Sequence, residues 1–240
     1  MLRTLFFYLT FYPWTLVVLL LALPISLFGE NAIHRWGIMW GRSCVWLGGI
    51  RLRVRGSDHI PRGQSAVYIA NHQSNFDIPI FYGGLPLQFR WLAKKELFDV
   101  PLFGLAMKRC GYIPIDRSDR RKAIHSMAAA AKQINEGTSV VVFPEGTRTP
   151  DGDLKEFKKG GFLIAVKAQV PVVPVAIRGS YRVMPRNRWR IEAGVVEMEI
   201  FPPIETAGMK NSDIDQLMAR VRQPIAEFLE GAAADEQNAA

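Results

Sequence analysis

The sequence predicts an α/β fold, a central mixed sheet flanked by helices, with an amino-terminal helical element embedded in a membrane. Two observations lead there. From Gly49 onward, short apolar runs rich in β-branched residues alternate with longer amphipathic stretches, the pattern of a sheet covered by helices. Before Gly49, no charged residue occurs between Arg3 and Glu30, and the stretch is dense in Leu, Phe, Val and aromatics.

That uncharged stretch meets the length of about 20 apolar residues that a membrane span needs. A signal peptide also begins with a basic residue before an apolar run, but here no small-x-small site is followed by a polar start. Pro13 and Pro24 interrupt the helical pattern. Two arrangements stay open: one span, or two shorter helices dipping into a single leaflet. Phe6, Phe7, Tyr8, Phe11, Tyr12 and Trp14 suit an interfacial belt. Residues 31–49 mix Trp36, Ile38, Met39, Trp40, Val45, Trp46 and Leu47 with two arginines, an amphipathic helix facing either the membrane surface or the core.

Strands are expected at 50–55, 66–70, 89–93, 111–115, 139–143, 172–177 and 191–201, and helices at 76–83, 101–109, 118–135, 158–168 and 212–230. Asp151-Gly152-Asp153 reads as a turn, and Gly137 follows the last turn of a helix. The expected division is a membrane-anchoring segment at 1–49, an α/β domain at 50–232 and a loose tail at 233–240.

Thirty Lys and Arg against twenty-two Asp and Glu give a net charge of +8. Such an excess suits a membrane surface, a phosphorylated substrate or nucleic acid. No nucleic-acid motif occurs, and the apolar amino terminus decides for the membrane. Cys44 and Cys110 match no metal spacing, and the four histidines (34, 59, 72 and 125) form no zinc-type cluster, so no metal is expected.

The chemistry sits in Asn71-His72-Gln73-Ser74-Asn75-Phe76-Asp77, directly after the apolar run Ala66–Ala70. Residues five apart lie roughly 140° from one another on a regular helix. His72 and Asp77 therefore meet only on a turn or at a helix start. A carboxylate at one ring nitrogen fixes the tautomer of a histidine and steadies the imidazolium it forms as a general base. The alternative is a capping Asp beside a half-buried His. Ser74 reads as a cap rather than a nucleophile, and Cys110 as a small buried residue. With no enzyme nucleophile in view, the alcohol to be activated belongs to a substrate.

Three further segments bear on this: Gly111-Tyr112-Ile113-Pro114-Ile115-Asp116-Arg117, then Val140-Val141-Val142-Phe143-Pro144-Glu145-Gly146-Thr147-Arg148-Thr149, and finally Val170-Pro171-Val172-Val173-Pro174-Val175-Ala176-Ile177. In this order and spacing the four resemble the glycerolipid acyltransferase family, over roughly Gly56 to Ile177, most closely its bacterial 1-acylglycerol-3-phosphate acyltransferases.

The resemblance implies transfer of an acyl chain from acyl-CoA or acyl carrier protein to the sn-2 hydroxyl of lysophosphatidic acid. It implies no cofactor beyond the acyl thioester. His72 is then the base and Asp77 its partner. Arg117, Glu145, Gly146, Thr147 and Arg148 bind the acceptor and its phosphate. Arginine offers phosphate paired donors, and Gly146 permits a tight turn. Glu145 either binds the glycerol part or holds Arg148. Without the other motifs, Arg117 reads as an ion pair with Asp116 or Asp119. Lys158 and Lys159 either meet substrate or carrier at a helix start or are simply solvated. Arg178, Arg182, Arg186, Arg188 and Arg190 suit anionic headgroups, an acidic carrier or a solvated loop. Arg35, Arg42, Arg51, Arg53, Arg55 and Arg62 place the catalytic side on the cytoplasmic face of the inner membrane. Another lysolipid acceptor, a thioesterase, or a non-catalytic membrane binder on this scaffold are the alternatives.

Overall fold

The structure, a computed structural model, describes residues 1–116 and 118–237. In chain order the elements are α1 (Leu2–Ile25), α2 (Glu30–Leu47), β1 (Ile50–Arg55), β2 (Val67–Ala70), α3 (Asp77–Gly84), β3 (Phe89–Lys94), α4 (Phe103–Arg109) and β4 (Ile113–Ile115). There follow α5 (Arg120–Asn135), β5 (Ser139–Val142), α6 (Gly160–Ala168), β6 (Val172–Arg178), α7 (Ser180–Val183), β7 (Gly194–Ile200) and α8 (Ile214–Gln237). Every strand expected from the apolar runs forms, and the last helix runs past residue 230 to Gln237.

The seven strands form one sheet in the order β1-β7-β6-β2-β5-β3-β4. All neighbours run parallel except β6 and β7, so the sheet is mixed. Because successive side chains of a strand point to opposite faces, β2 feeds two cores at once. Tyr68 and Ala70 join Val141, Val173 and Val175 on the face covered by α2 and α3. Val67 and Ile69 join Val140, Val142 and Val172 on the face covered by α5, α6 and α8. Burial on both faces is why these strands read as unbroken apolar runs.

β2 lies between its parallel neighbours β5 and β6, with β3 and β4 beyond the first and β7 beyond the second. The carboxyl end of such a strand is where open α/β sheets leave a crevice. Asn71, the next residue, extends the ladder with its side chain. Its Nδ2 donates to the Ile177 carbonyl at 2.8 Å, and its Oδ1 accepts from the Ile177 amide at 2.7 Å. The chain is free to turn there while the sheet stays hydrogen-bonded.

The amino terminus corrects two expectations. First, α1 is continuous through Pro13 and ends just after Pro24. One turn of 3-10 helix (Ser26–Phe28) and Gly29, at φ +92°, then reverse the chain into α2. The result is a helical hairpin clipped by three indoles. Trp14 Nε1 donates to Ser43 Oγ at 2.7 Å, Trp40 Nε1 to Thr15 Oγ1 at 3.0 Å, and Trp36 Nε1 to the Val18 carbonyl at 2.9 Å. These clips sit beside and beyond Pro13 and offset the helix penalty of about 3 kcal/mol that an internal proline carries.

Second, the aromatic belt does not all face outward. Phe6 and Tyr12 are exposed, whereas Phe7 is buried against Phe76 at 5.4 Å between ring centroids. Tyr8 and Phe11 pack on the same core. The helical period of 3.6 turns positions 7 and 11 to one side, and that side meets the core of the α/β sheet. α2 likewise faces the core rather than lying free on a surface. At Gly41 a methyl group would stand 2.4 Å from Cβ of Tyr82, so only glycine lets α2 approach α3 this closely. What remains exposed is an apolar face of Leu2, Leu5, Phe6, Leu9, Leu16 and Leu20 along α1.

Asn71→Ala should lower stability by about 2–4 kcal/mol, because it strands two buried backbone groups of Ile177. A drop in thermal midpoint in detergent checks this; an unchanged midpoint would show that the side-chain tie carries no load.

Candidate active site

After Asn71 the chain leaves the sheet, and Asp77 opens α3. Asp77 is fully buried, and its Oδ2 gathers three donors. His72 Nδ1 lies at 2.7 Å, the Gln73 amide at 2.7 Å and the Ser74 amide at 2.8 Å. An oxygen that already accepts two backbone N–H groups takes the imidazole as a third donor. The proton therefore sits on Nδ1, and Nε2 carries the lone pair. The spacing that cannot meet on a helix meets here because the intervening residues form a loop folded over the helix start. Ser74 is a structural cap: its Oγ donates to the Met184 carbonyl at 2.8 Å and accepts from the Phe76 amide at 3.1 Å.

The turn after β5 is sewn to the same loop. Glu145 Oε1 accepts from the His72 amide at 2.7 Å, and the Thr149 amide donates to the His72 carbonyl at 2.9 Å. Gln73 Nε2 donates to the Gly152 carbonyl at 2.6 Å. Gly146 adopts φ +74° and its amide donates to the Phe143 carbonyl at 3.1 Å, closing the tight turn expected of it. Thr147 is half-buried in that turn. Burial drives the Glu145 carboxyl up to about 7, against the His72 amide, which pulls it down.

Arg148 is half-buried, and among the described residues its Nη1 is buried with no hydrogen-bond partner. Burial and the neighbouring charge of Arg186 both work against its protonated form, while Asp77 supports it. Arg186 Nη1 donates to the Arg148 carbonyl at 3.3 Å. A cation with an idle buried donor beside a second cation is suited to an anion.

His72, Asp77, Glu145, Gly146, Thr147 and Arg148 are thus brought together at the carboxyl ends of β2 and β5. Arg117, expected to share the phosphate, lies outside the described residues. Its neighbour Asp116 pairs with Lys95 at 3.2 Å. Lys158 and Lys159 stand exposed at the start of α6, and Lys159 is held by Asp215 at 2.7 Å, on the layer of α8.

Next to the loop opens an apolar cavity of about 680 Å³, lined by Phe11, Trp40, Phe76, Trp91, Met107 and Phe143 among others. Its walls come from α1, α2, α3, α4 and β3 and from the residue that follows β5, so its shape could not be read from any one segment. Cys110 belongs to this wall, and burial pushes its thiol up to about 12, which leaves it inert as a nucleophile. The His72 ring lies flat on Phe143, with centroids 4.0 Å apart and planes 8° apart. Phe143 was legible only as a motif residue; its place just past a buried strand beside Glu145 is the signal that it reaches the site.

A carboxyl whose folded value is raised stabilises the fold at low pH, and that contribution is lost as pH rises through about 7. Glu145→Gln keeps an acceptor for the His72 amide but does not ionise. The variant should gain stability over the wild type as pH rises from 5 to 8, by up to ~3 kcal/mol. Parallel thermal melts across that range check it, and a pH-independent gap would refute it.

Comparison with known proteins identifies the family. The acyltransferase family profile matches residues 51–178. The 1-acyl-sn-glycerol-3-phosphate acyltransferase alpha of Bos taurus is 34% identical over 224 residues, covering 92% of this chain and 78% of that protein. The 1-acyl-sn-glycerol-3-phosphate acyltransferase of Limnanthes alba is 32% identical, covering 87% of this chain and 73% of its own. Among solved structures, the 1-acyl-sn-glycerophosphate (LPA) acyltransferase PlsC from Thermotoga maritima superposes with a TM-score of 0.82 at 28% identity, covering 97% of this chain and 95% of that one. With its profile match, its relatives and its fold in agreement, the chain belongs to the acyltransferase family and is itself an acyltransferase.

Proposed function

We propose that this enzyme transfers an acyl chain from an acyl thioester to the sn-2 hydroxyl of 1-acyl-sn-glycerol-3-phosphate, forming phosphatidic acid. The observation that carries the reading is the His72 Nδ1 to Asp77 Oδ2 contact of 2.7 Å, set between an unpartnered Arg148 donor and a large apolar cavity. A base, a cation and an apolar chamber are what an alcohol, a phosphate and an acyl chain each require. The volume of about 680 Å³ lies in the range of about 300–1,000 Å³ typical of ligand pockets.

In this reading His72 Nε2 removes the hydroxyl proton as the oxygen attacks the thioester carbonyl carbon. Asp77 holds the ring and steadies the imidazolium. The new C–O bond forms, the C–S bond breaks, and the proton passes from Nε2 to the leaving thiolate. No acyl-enzyme is needed. Arg148 takes the acceptor phosphate, with Arg117 as a proposed second donor. Glu145 acts chiefly on the base, through the His72 amide. The thioester is carried by coenzyme A or by acyl carrier protein.

The exposed apolar face of α1, with Leu27 and Phe28 at the hairpin tip, supports anchoring in a lipid bilayer. The arginines on and after α2 favour the cytoplasmic face of the inner membrane and its anionic lipids. Because the hairpin also walls the cavity, the site sits at the bilayer surface, where both lipid substrates reside.

Membranes carrying the enzyme should release thiol from a long-chain acyl-CoA only when lysophosphatidic acid is added, with phosphatidic acid as product. Acceptor-independent release would instead indicate a thioesterase. If acyl carrier protein and other lysolipids also gave no release, a non-catalytic binder would be favoured. His72→Ala should abolish transfer while membrane association persists, and near-native turnover would remove the base assignment. Arg148→Ala should raise the KM for lysophosphatidic acid about tenfold or more, with a smaller change for the donor. An unchanged acceptor KM would place the phosphate elsewhere.

A further inference from the structure

We propose that Phe143 is a positioning residue for the base, holding the His72 imidazole in its reactive plane and stabilising the imidazolium through its π face. This rests on the reading of His72 as general base. The contact is a full face-to-face stack, 4.0 Å between centroids and 8° between planes. Phe143 cannot easily yield, because it is itself stacked with the buried Trp91 at 5.5 Å and 25°, and met edge-on by Phe81 at 5.7 Å and 77°. Trp91 and Phe81 are packed edge-on against each other at 5.5 Å, and Phe89 meets Trp91 edge-on at 5.4 Å.

The hydrogen bond to Asp77 fixes one edge of the imidazole but leaves rotation about that bond. A flat aromatic wall removes this freedom and so aims Nε2. The same wall acts selectively on the charged form. A cation within about 6 Å of a ring centroid is drawn to its negative face, and the neutral imidazole much less so. The interaction strengthens as the proton moves, and only such interactions raise the rate of the chemical step. Among the described residues, the charged groups around the base are Asp77 on α3, Glu145 in the turn after β5, Arg148 in the same turn, and Arg186 beside Arg148. Phe143 adds stabilisation among them without adding a charge that the acceptor phosphate would have to oppose. Phe143 also lines the apolar cavity, so one ring separates the base from the acyl chamber.

The test is the pH profile of kcat for Phe143→Leu, Phe143→Met, Phe143→Tyr and Phe143→Trp, with His72→Ala alongside. Leu and Met keep an apolar wall but lose the π face. Both should lower the plateau kcat about five- to thirty-fold and move the acid limb to lower pH by several tenths of a unit to about one unit. Tyr and Trp should restore both. A role confined to packing the acyl chamber would change donor KM or thermal midpoint in Leu and Met while the acid limb stayed fixed, and that result overturns the proposal. So does a Tyr variant as impaired as Leu. If His72→Ala is inactive and the Leu and Met variants match the wild type, the stack fails and the base reading stands. If His72→Ala stays active, the base reading fails with it.

Discussion

A single carboxylate oxygen, Oδ2 of Asp77, accepts from His72 Nδ1 and from the amides of Gln73 and Ser74, and the site is assembled around that convergence. Bonds to a charge-bearing acceptor in a buried setting are stronger than neutral ones, and bonds sharing one oxygen stand or fall together. The loop from Asn71 to Phe76 has no regular structure of its own to hold it. Its lower end is fixed to the sheet by Asn71 and its upper end to α3 by Asp77. Glu145 and Thr149 clamp the amide and carbonyl of His72 from the neighbouring strand's turn. Three elements far apart in sequence therefore place one imidazole.

The amino-terminal hairpin is not an appendage to this arrangement. Phe7 of α1 touches Phe76, the residue before Asp77, and Tyr8 donates to the Trp189 carbonyl at 2.8 Å in the basic loop that holds Arg186. Thr4 Oγ1 and the Ile191 amide meet at 3.2 Å nearby. The same helix offers Leu2, Leu5 and Leu9 outward and walls the apolar cavity with Phe7 and Phe11. A helix that is apolar all round can offer one face outward and line the apolar cavity with the other. That is the physical reason the segment lacks the one-sided pattern of an ordinary surface helix.

Charge is distributed in keeping with this division. Arg178 is committed to Glu197 and lies 4.3 Å over the Phe228 ring, tying β6 to α8. Lys159 is committed to Asp215 and Arg190 to Glu192. Arg148 differs, since a donor of its guanidinium is buried and idle and a second arginine stands beside it. Of these basic residues, the one with an unpartnered buried donor is the one in the turn that is hydrogen-bonded to the His72 loop.

Periodicity and motif by themselves determined the strands and most helix bounds, because strands buried on both faces leave continuous apolar runs and because Gly and Pro mark the turns between them. They also marked His72 with Asp77 and Gly146 as candidates close in sequence, but left open a capping Asp beside a half-buried His, and the 2.7 Å contact and the φ of +74° decided both. Tertiary structure alone decided the rest. The hairpin reversal at Gly29, the inward face of Phe7 and the core-facing side of α2 depend on Trp clips and a glycine contact between residues distant along the chain. The stack of His72 on Phe143, the bond from Glu145 to the His72 amide and the apolar chamber likewise join segments more than sixty residues apart. Local pattern reports which way a side chain points along its own helix or strand; what it meets there is set by how the elements pack.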